Sequence, residues 1–179
     1  MIIWINGAFG VGKSTIAEVL NSKLIPSFVF DPEQVGAFLW DNFPNPLKNK
    51  GDFQDIEIWR SINFQILNYL SHNYFGDIIV PMTITNIVYY DEIIGSLINA
   101  GVDVRHYILS ATKENIIKRL SLRGEKRGGW AEMQIDRCLN SFYKSINQVK
   151  IDTDNKSIDS VVEHIICDLN NYRTKSEQA

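Results

Sequence analysis

A glycine-rich loop between an apolar strand and a helical pattern constrains the fold of this chain more than any other feature. Residues 1–5 predict a short buried strand, and apolar residues recur at helical spacing over residues 14–24. Between them, residues 7–14 (GAFGVGKS) match the pattern GxxxxGK[ST] in full. In such a loop the backbone NH groups wrap phosphates, the lysine reaches the outer phosphates and the hydroxyl residue holds Mg²⁺. We therefore expect a nucleoside triphosphate site here.

The rest of the sequence alternates strands with helices. Further strands are predicted at 27–30, 78–82, 102–109 and 149–151, and helices at 32–40, 52–70, 88–100, 112–123, 130–145 and 157–169. This alternation predicts an α/β, three-layer fold with a five-stranded parallel sheet, and the glycine-rich loop after its first strand indicates a P-loop NTPase fold. The pattern resembles that of nucleoside monophosphate and shikimate kinases, and this resemblance implies the strand order 2-3-1-4-5. We expect one domain over 1–179, with a lid segment at about 121–131 and an acceptor-binding helical region at about 32–75.

Composition and charge exclude several classes of protein. The 179 residues are 45% hydrophobic and 22% charged, which suits a globular domain with a proper core. A net charge of −3 gives no electrostatic footprint for nucleic acid. We expect neither a signal peptide nor a transmembrane segment, and hence a cytoplasmic protein in which Cys138 and Cys167 are reduced thiols.

The loop belongs to no GTPase or motor pattern. Residues 155–159 (NKSID) place the acid one position too late for NKxD, and no DxxG follows the third strand. That strand ends at residues 80–83 (VPMT), and its nearest acid, Asp77, lies at the opposite end. The usual carboxylate for Mg²⁺ is therefore missing, and the site needs an acid from elsewhere.

The second strand supplies acids at the ligand end of the sheet. Asp31 and Glu33 follow residues 28–30 (FVF) directly. A carboxylate here can accept the proton of an attacking hydroxyl or hold a metal-bound water. Asp31 is our candidate base, although the Asp-Pro pair also suits a simple helix N-cap.

Basic residues cluster around the predicted lid. Arg119, Arg123 and Arg127 flank or occupy it, and Arg137 follows. Lid arginines offer planar donors to charge on a transferred phosphoryl group, and Arg123 is best placed at the junction of helix and loop. Solvated helix ends are the alternative for each arginine alone.

Arg60 and His106 lie in stretches that are predicted to be buried, and the evidence for a functional role is weaker for them. Arg60 lies among aromatic residues on the long third helix and could hold a polar acceptor, although such aromatics are more often core. His106 lies in the middle of a strand and is better explained as a hydrogen-bonded core residue than as a catalyst.

Several stretches of the sequence match motifs of a known protein family. The most particular are residues 4–10 (WINGAFG), 80–83 (VPMT) and 134–138 (QIDRC), supported by 29–33, 59–60, 118–120 and 153–155. Together they resemble the bacterial tunicamycin resistance protein family from Met1 to about Ile166. The resemblance implies an ATP-binding protein with a nucleotide-kinase-like fold, associated with resistance to a uridine-containing, lipid-linked antibiotic.

The resemblance also implies site residues, with residues 7–14 on the nucleotide, Asp31 facing the acceptor, and Arg123 and Arg137 near the phosphates. The expected nucleotide-binding set is Gly7, Ala8, Phe9, Gly10, Val11, Gly12, Lys13, Ser14, Thr15, Arg119, Arg123 and Asn155. The expected acceptor-binding set is Asp31, Glu33, Arg60 and Arg137. We expect Lys13, Asp31 and Arg123 to be catalytic and Ser14 to be the metal ligand.

These residues favour an ATP- and Mg²⁺-dependent kinase that phosphorylates a small-molecule hydroxyl. The resemblance implies that the acceptor is tunicamycin or another nucleoside-like compound. Two alternatives stay open: an ATP-dependent protein that sequesters the drug without chemistry, and a nucleoside monophosphate kinase. The latter is less favoured because few arginines are available to clamp a second phosphate. The residues leave the physiological acceptor and the oligomeric state open.

Overall fold

The computed structural model describes residues 1–48, 51–144 and 149–176. Its strands are β1 (Ile2–Gly7), β2 (Ser27–Val29), β3 (Asp77–Pro81), β4 (Val104–Ser110) and β5 (Val149–Asp152). They form one parallel sheet in the order β2-β3-β1-β4-β5. This confirms the predicted α/β fold and its strand order.

Helices surround the sheet. They are α1 (Lys13–Lys23), α2 (Pro32–Asn42), α3 (Asn45–Lys48), α4 (Glu57–Asn73), α5 (Ile87–Tyr90), α6 (Ser96–Asn99), α7 (Lys113–Leu122), α8 (Trp130–Met133), α9 (Ile135–Lys144) and α10 (Ile158–Ser176). A 3-10 turn at Phe53–Asp55 precedes α4, and a π-helical turn at Asp91–Gly95 joins α5 to α6. In the part of the chain that the structure describes, no helix is both long enough and apolar enough to cross a bilayer.

Three predicted helices differ from the observed ones. The predicted helix 88–100 is divided by the π-helical turn at Asp91–Gly95 into α5 and α6. The pattern from Asp52 becomes α-helical only at Glu57, because the Asp52 side chain caps the 3-10 turn and accepts from Gln54 N at 3.0 Å. The predicted helix 130–145 is divided at Gln134 into α8 and α9, and its predicted end at Ser145 lies outside the described residues.

The centre of the core is β1. Ile2, Ile3, Trp4 and Ile5 are all 0% exposed, because β1 pairs with β3 on one side and β4 on the other while helices cover both faces. A strand of a parallel sheet is buried on both faces, which explains the continuous apolar run. Each such aliphatic side chain contributes roughly 1.5–3 kcal/mol relative to an exposed one.

Buried polar side chains join the ends of β1 and β3. Asn6 donates from Nδ2 to Ile84 O at 2.9 Å, and its Oδ1 accepts from Ile84 N at 3.0 Å and Gly7 N at 2.8 Å. The Thr83 hydroxyl donates to Gly7 O at 2.8 Å. Ligands of parallel sheets bind beyond these carboxyl ends, so the bonds fix the floor of the expected site.

Candidate functional site

The loop after β1 is shaped to present backbone. Gly7, Gly10 and Gly12 have φ values of 148°, 81° and 111°. A Cβ at Gly7 would lie 2.7 Å from Leu109 O, so glycine is required where the loop passes β4. Gly12 is the N-cap of α1, and none of the described side chains caps that helix's first turn. Its NH groups are therefore available to an anion, which the helix dipole also favours.

Lys13 lies inside this loop. Its ammonium donates to Gly7 O and Ala8 O, at 3.1 Å each, and stands 5.4 Å from the centroid of the Phe9 ring. Burial lowers the pKa of Lys13 to about 8, although the nearby Glu33 carboxylate opposes the shift. A bound phosphate would stabilise the charged ammonium, and the pKa of Lys13 would therefore rise when an anion binds.

Ser14 is the candidate metal ligand. It is exposed at the start of α1. Among residues 1–48, 51–144 and 149–176, no group of three or more His, Cys, Asp or Glu side chains could hold a metal ion. This donor set fits Mg²⁺ bound mainly through phosphate oxygens and water, with the serine hydroxyl as a protein ligand.

Carboxylates face the loop from the side of β2. Asp31 caps α2 and accepts from Glu33 N at 2.9 Å. Partial burial raises the pKa of Glu33, the charge of Asp31 raises it further, and Lys13 lowers it. Glu33 is therefore near both Asp31 and Lys13. A carboxylate in such a place can accept a proton from a hydroxyl.

Asp52 joins this group and was missed by sequence reasoning. Burial raises its pKa, while its own bond from Gln54 N and the Arg137 guanidinium lower it. Arg137 lies 3.9 Å from the carboxylate of Asp52, and Asp52 also contributes to raising the pKa of Glu33. In sequence Asp52 shows only a helix-start signal, and the contact with Arg137 is long-range.

Arg60 supports the turn that carries Asp52. It is 9% exposed, pairs with Glu92, donates to Gln54 O at 2.6 Å and stacks on Tyr89 at 4.3 Å. These protein partners give Arg60 a positioning role. Direct contact between Arg60 and an acceptor stays a prediction.

On the opposite side of the loop, a cleft of about 330 Å³ adjoins α1, α7 and α10. Its lining includes Thr15 and Arg119 from the predicted set, together with the apolar side chains Leu122, Ile158 and Val161. Arg119 braces it by donating to Val11 O at 3.1 Å and to Thr153 O at 2.8 Å. Such a cleft suits the base and sugar of a nucleotide.

The segment between α7 and α8 connects the two sides. Arg123 ends α7, is exposed and lines the cleft, while its charge helps to lower the pKa of Lys13. Trp130 at the start of α8 packs edge-on against Phe9 at 4.8 Å. The predicted lid therefore touches the phosphate-binding loop directly.

Contact between Asn155 and the nucleotide stays a prediction. Asn155 has a φ of 56° in a turn and does not line the cleft within the described part of the chain. Its neighbours Thr153, Lys156 and Ser157 do line it. Thr153 belongs to a matched stretch of the sequence, whereas Lys156 and Ser157 were not singled out. The matched stretch at residues 153–155 did not indicate which of its side chains faces the cleft.

The expectation for His106 was partly wrong. His106 is buried, at 3% exposed, and stacks on Tyr90 at 5.5 Å. Neither ring nitrogen, however, has a hydrogen-bond partner among the described residues. Burial lowers the pKa of His106 to about 3, so the ring is neutral at pH 7.

Comparison with solved structures identifies the fold and a relative. The tunicamycin resistance protein of Deinococcus radiodurans is 33% identical, with a TM-score of 0.79 and 94% of each chain covered. A gluconokinase from Sinorhizobium meliloti 1021 is 13% identical, with a TM-score of 0.68, covering 99% of this chain and 96% of its own. A shikimate kinase from Bacteroides thetaiotaomicron is 14% identical, with a TM-score of 0.63, covering 95% of this chain and 98% of its own. No protein-family model matches the sequence, and no curated protein matches it.

The two kinases share the fold alone, because their identities are low. The relative from Deinococcus radiodurans combines 33% identity with nearly full coverage, and the resemblance that the sequence motifs indicated is confirmed. The chain belongs to the tunicamycin resistance protein family.

Proposed function

We propose that the protein is an ATP-dependent phosphotransferase acting on the hydroxyl of a small molecule. One observation carries the proposal. The Lys13 ammonium donates to the glycine-rich loop, and the Glu33 carboxylate is close enough to act on its pKa, while Asp31 and Asp52 in turn act on Glu33. A phosphate donor and a hydroxyl acceptor would meet at this ammonium.

The nucleotide is expected to extend along the loop. The base and ribose would occupy the cleft beside Arg119, and the triphosphate would contact the NH groups of residues 7–15. When bound, Mg²⁺ would neutralise phosphate charge, and Ser14 would be its protein ligand. Residues 121–131 would act as the lid and 32–75 as the acceptor region.

The transfer step assigns a role to each side chain. The acceptor hydroxyl oxygen forms a bond to the γ-phosphorus, the bond from that phosphorus to the ADP oxygen breaks, and the hydroxyl proton passes to Asp31. Lys13 and Arg123 would stabilise charge on the transferred group. Asp31 must leave its bond with Glu33 N, or accept through its other oxygen, to receive the proton.

A nucleoside-like antibiotic is the proposed acceptor, and resistance is the proposed outcome. Support comes from the family relationship to a tunicamycin resistance protein. The test is incubation of the protein with ATP labelled in its γ-phosphate and with tunicamycin or a panel of nucleosides. We expect label to appear in an acceptor in the wild type but not in Lys13→Ala. No transfer to any compound would contradict the proposal.

Sequestration without chemistry is the second candidate. It is favoured by the engagement of Asp31 as a helix cap and by the hydroxyl of Thr83, in place of a carboxylate, at the end of β3. Calorimetry with Asp31→Asn separates the two proposals. Tight, ATP-dependent binding of tunicamycin that is unchanged in this variant, with no product, would favour sequestration.

A further inference from the structure

The acceptor side of the site has an excess of negative charge. Asp31, Glu33 and Asp52 are close enough for Glu33 to be influenced by the other two carboxylates. Among the described residues, the cations near this face are Arg137, which is half exposed beside Asp52, and Lys13, which belongs to the phosphate-binding loop. Arg60 adds no free charge because its guanidinium is paired with Glu92.

The turn that carries Asp52 is fixed to the loop by buried polar groups. Arg60 donates to Gln54 O at 2.6 Å, and Gln54 Nε2 donates to Thr83 O at 3.1 Å. Thr83 in turn donates to Gly7 O at 2.8 Å, and the same carbonyl accepts from Lys13. Buried polar side chains are costly unless they are bonded, and a bonded chain fixes one geometry. The carboxylate of Asp52 is therefore held in a defined place relative to Lys13.

Burial strengthens the effect of this charge. The side chain of Asp52 is 15% exposed, and a charge in such surroundings is screened less than one on the open surface. Loss of surrounding water raises the pKa of the partly buried Asp52, and it also raises the pKa of Glu33, although Glu33 is an exposed residue. An acceptor that brings its own phosphate would have to approach this face against like charges, with Arg137 already beside Asp52.

We propose that Asp52 is a specificity-determining residue of the acceptor site, selecting uncharged hydroxyl compounds and rejecting acceptors that already carry a phosphate. The inference rests on the proposed function, because it assigns the acceptor to the face around Asp31. It assigns a substrate class to that face, and it disfavours a role as a nucleoside monophosphate kinase.

The experiment uses two probes that differ in one phosphate: uridine and uridine 5′-monophosphate. Binding of each is measured by calorimetry with a non-hydrolysable ATP analogue present, and transfer is measured with ATP labelled in its γ-phosphate. We expect uridine to be preferred over the monophosphate in both measurements. Equal or tighter binding of the monophosphate would overturn the proposal.

Two variants locate the effect. We expect Asp52→Asn to reduce the preference for uridine about tenfold, because one buried like charge is removed. Asp55→Asn is the matched control, since Asp55 lies on the same turn but accepts from the Tyr89 hydroxyl at 2.8 Å. We expect this control to keep the wild-type preference. An equal loss in both variants would overturn the assignment to Asp52 and indicate a general effect of charge.

The two proposals fail in different ways. If uridine binds, the monophosphate is rejected and no label is transferred, then the charge selection stands and the phosphotransferase is wrong. If label is transferred to the monophosphate as readily as to uridine, the phosphotransferase stands and the selection by Asp52 is wrong.

Discussion

The nucleotide side and the acceptor side of the candidate site are built in different ways. The nucleotide side is local and made of backbone, with three glycines of positive φ and the first turn of α1 within one short stretch. The acceptor side is assembled from distant side chains, such as Arg60 on α4, Gln54 on the 3-10 turn and Thr83 after β3. The difference teaches that the proposed phosphate site is encoded by a local motif, whereas the proposed acceptor site depends on tertiary structure.

The largest effect should come from the acceptor side. We expect Asp31→Asn to lower kcat about a hundredfold or more, while the Kd for ATP changes by less than about twofold. Asparagine also caps helices well, so α2 should remain folded. Steady-state kinetics and calorimetry check both values. Asp41→Asn, at an exposed position on the same helix, is the control and should leave kcat unchanged.

A second prediction concerns the sheet beneath both sides. His106 on β4 is opposite Trp4 on β1, and burial lowers its pKa from 6.5 to about 3. Because the pKa of His106 is lower in the folded state than in the unfolded state, folding favours the neutral ring. The contribution of His106 to the free energy of unfolding is therefore fully present above about pH 6.5, and it is lost as the pH falls below that value. We expect the free energy of unfolding to drop by about 2 kcal/mol between about pH 7 and pH 5 from this residue.

Urea unfolding at the two pH values measures that drop. His106→Phe should remove most of it, whereas His72→Gln, at an exposed position, should retain it. An unchanged pH dependence in His106→Phe would show that the buried imidazole is not its source.

The third prediction tests the nucleotide side. Because the pKa of Lys13 is lowered to about 8, the ammonium is charged below pH 8 and neutral above it. Binding of a triphosphate stabilises the charged form, so nucleotide affinity should fall up to about tenfold per pH unit above this pKa. Calorimetry in buffers of different ionisation enthalpy should show proton uptake on binding near pH 8. Release of protons would contradict the assignment.

The smallest effect should come from the residue that joins the two sides. Thr83→Val removes the bond to Gly7 O and should cost about 1 kcal/mol of unfolding free energy. It should also weaken acceptor and nucleotide binding together, because the carbonyl of Gly7 contacts Lys13. Thr85→Val, two residues further on, is the control. Weaker binding of only one of the two ligands would contradict the proposal that Thr83 links the nucleotide side to the acceptor side.

Sequence reasoning succeeded where the information was local. The apolar run of β1, the loop at residues 7–14 and the alternation of elements predicted the α/β fold, and the resemblance to kinases implied the strand order; the structure confirms both. Asp31 lies between β2 and α2, at the edge where the carboxyl ends of parallel strands meet, and its role in the site stays a prediction.

It failed where contacts join distant residues. Asp52 carries only a capping signal in sequence, yet the structure brings it to Arg137. The sequence around Arg60 suggested an acceptor contact, which stays a prediction, but it gave no sign of the pairing with Glu92 on the π-helical turn after α5. Thr153 was part of a matched stretch, but only its bonds with Arg119 show that it faces the cleft. Pairings of this kind depend on packing that no local pattern encodes.

The central claim is that the loop around Lys13 holds the triphosphate of a nucleotide. Calorimetry of a non-hydrolysable ATP analogue with Lys13→Ala tests it most directly, with Lys23→Ala as the control at the other end of α1. We predict that Lys13→Ala binds at least about tenfold more weakly and that the control binds like the wild type. Unchanged affinity in Lys13→Ala would contradict the account.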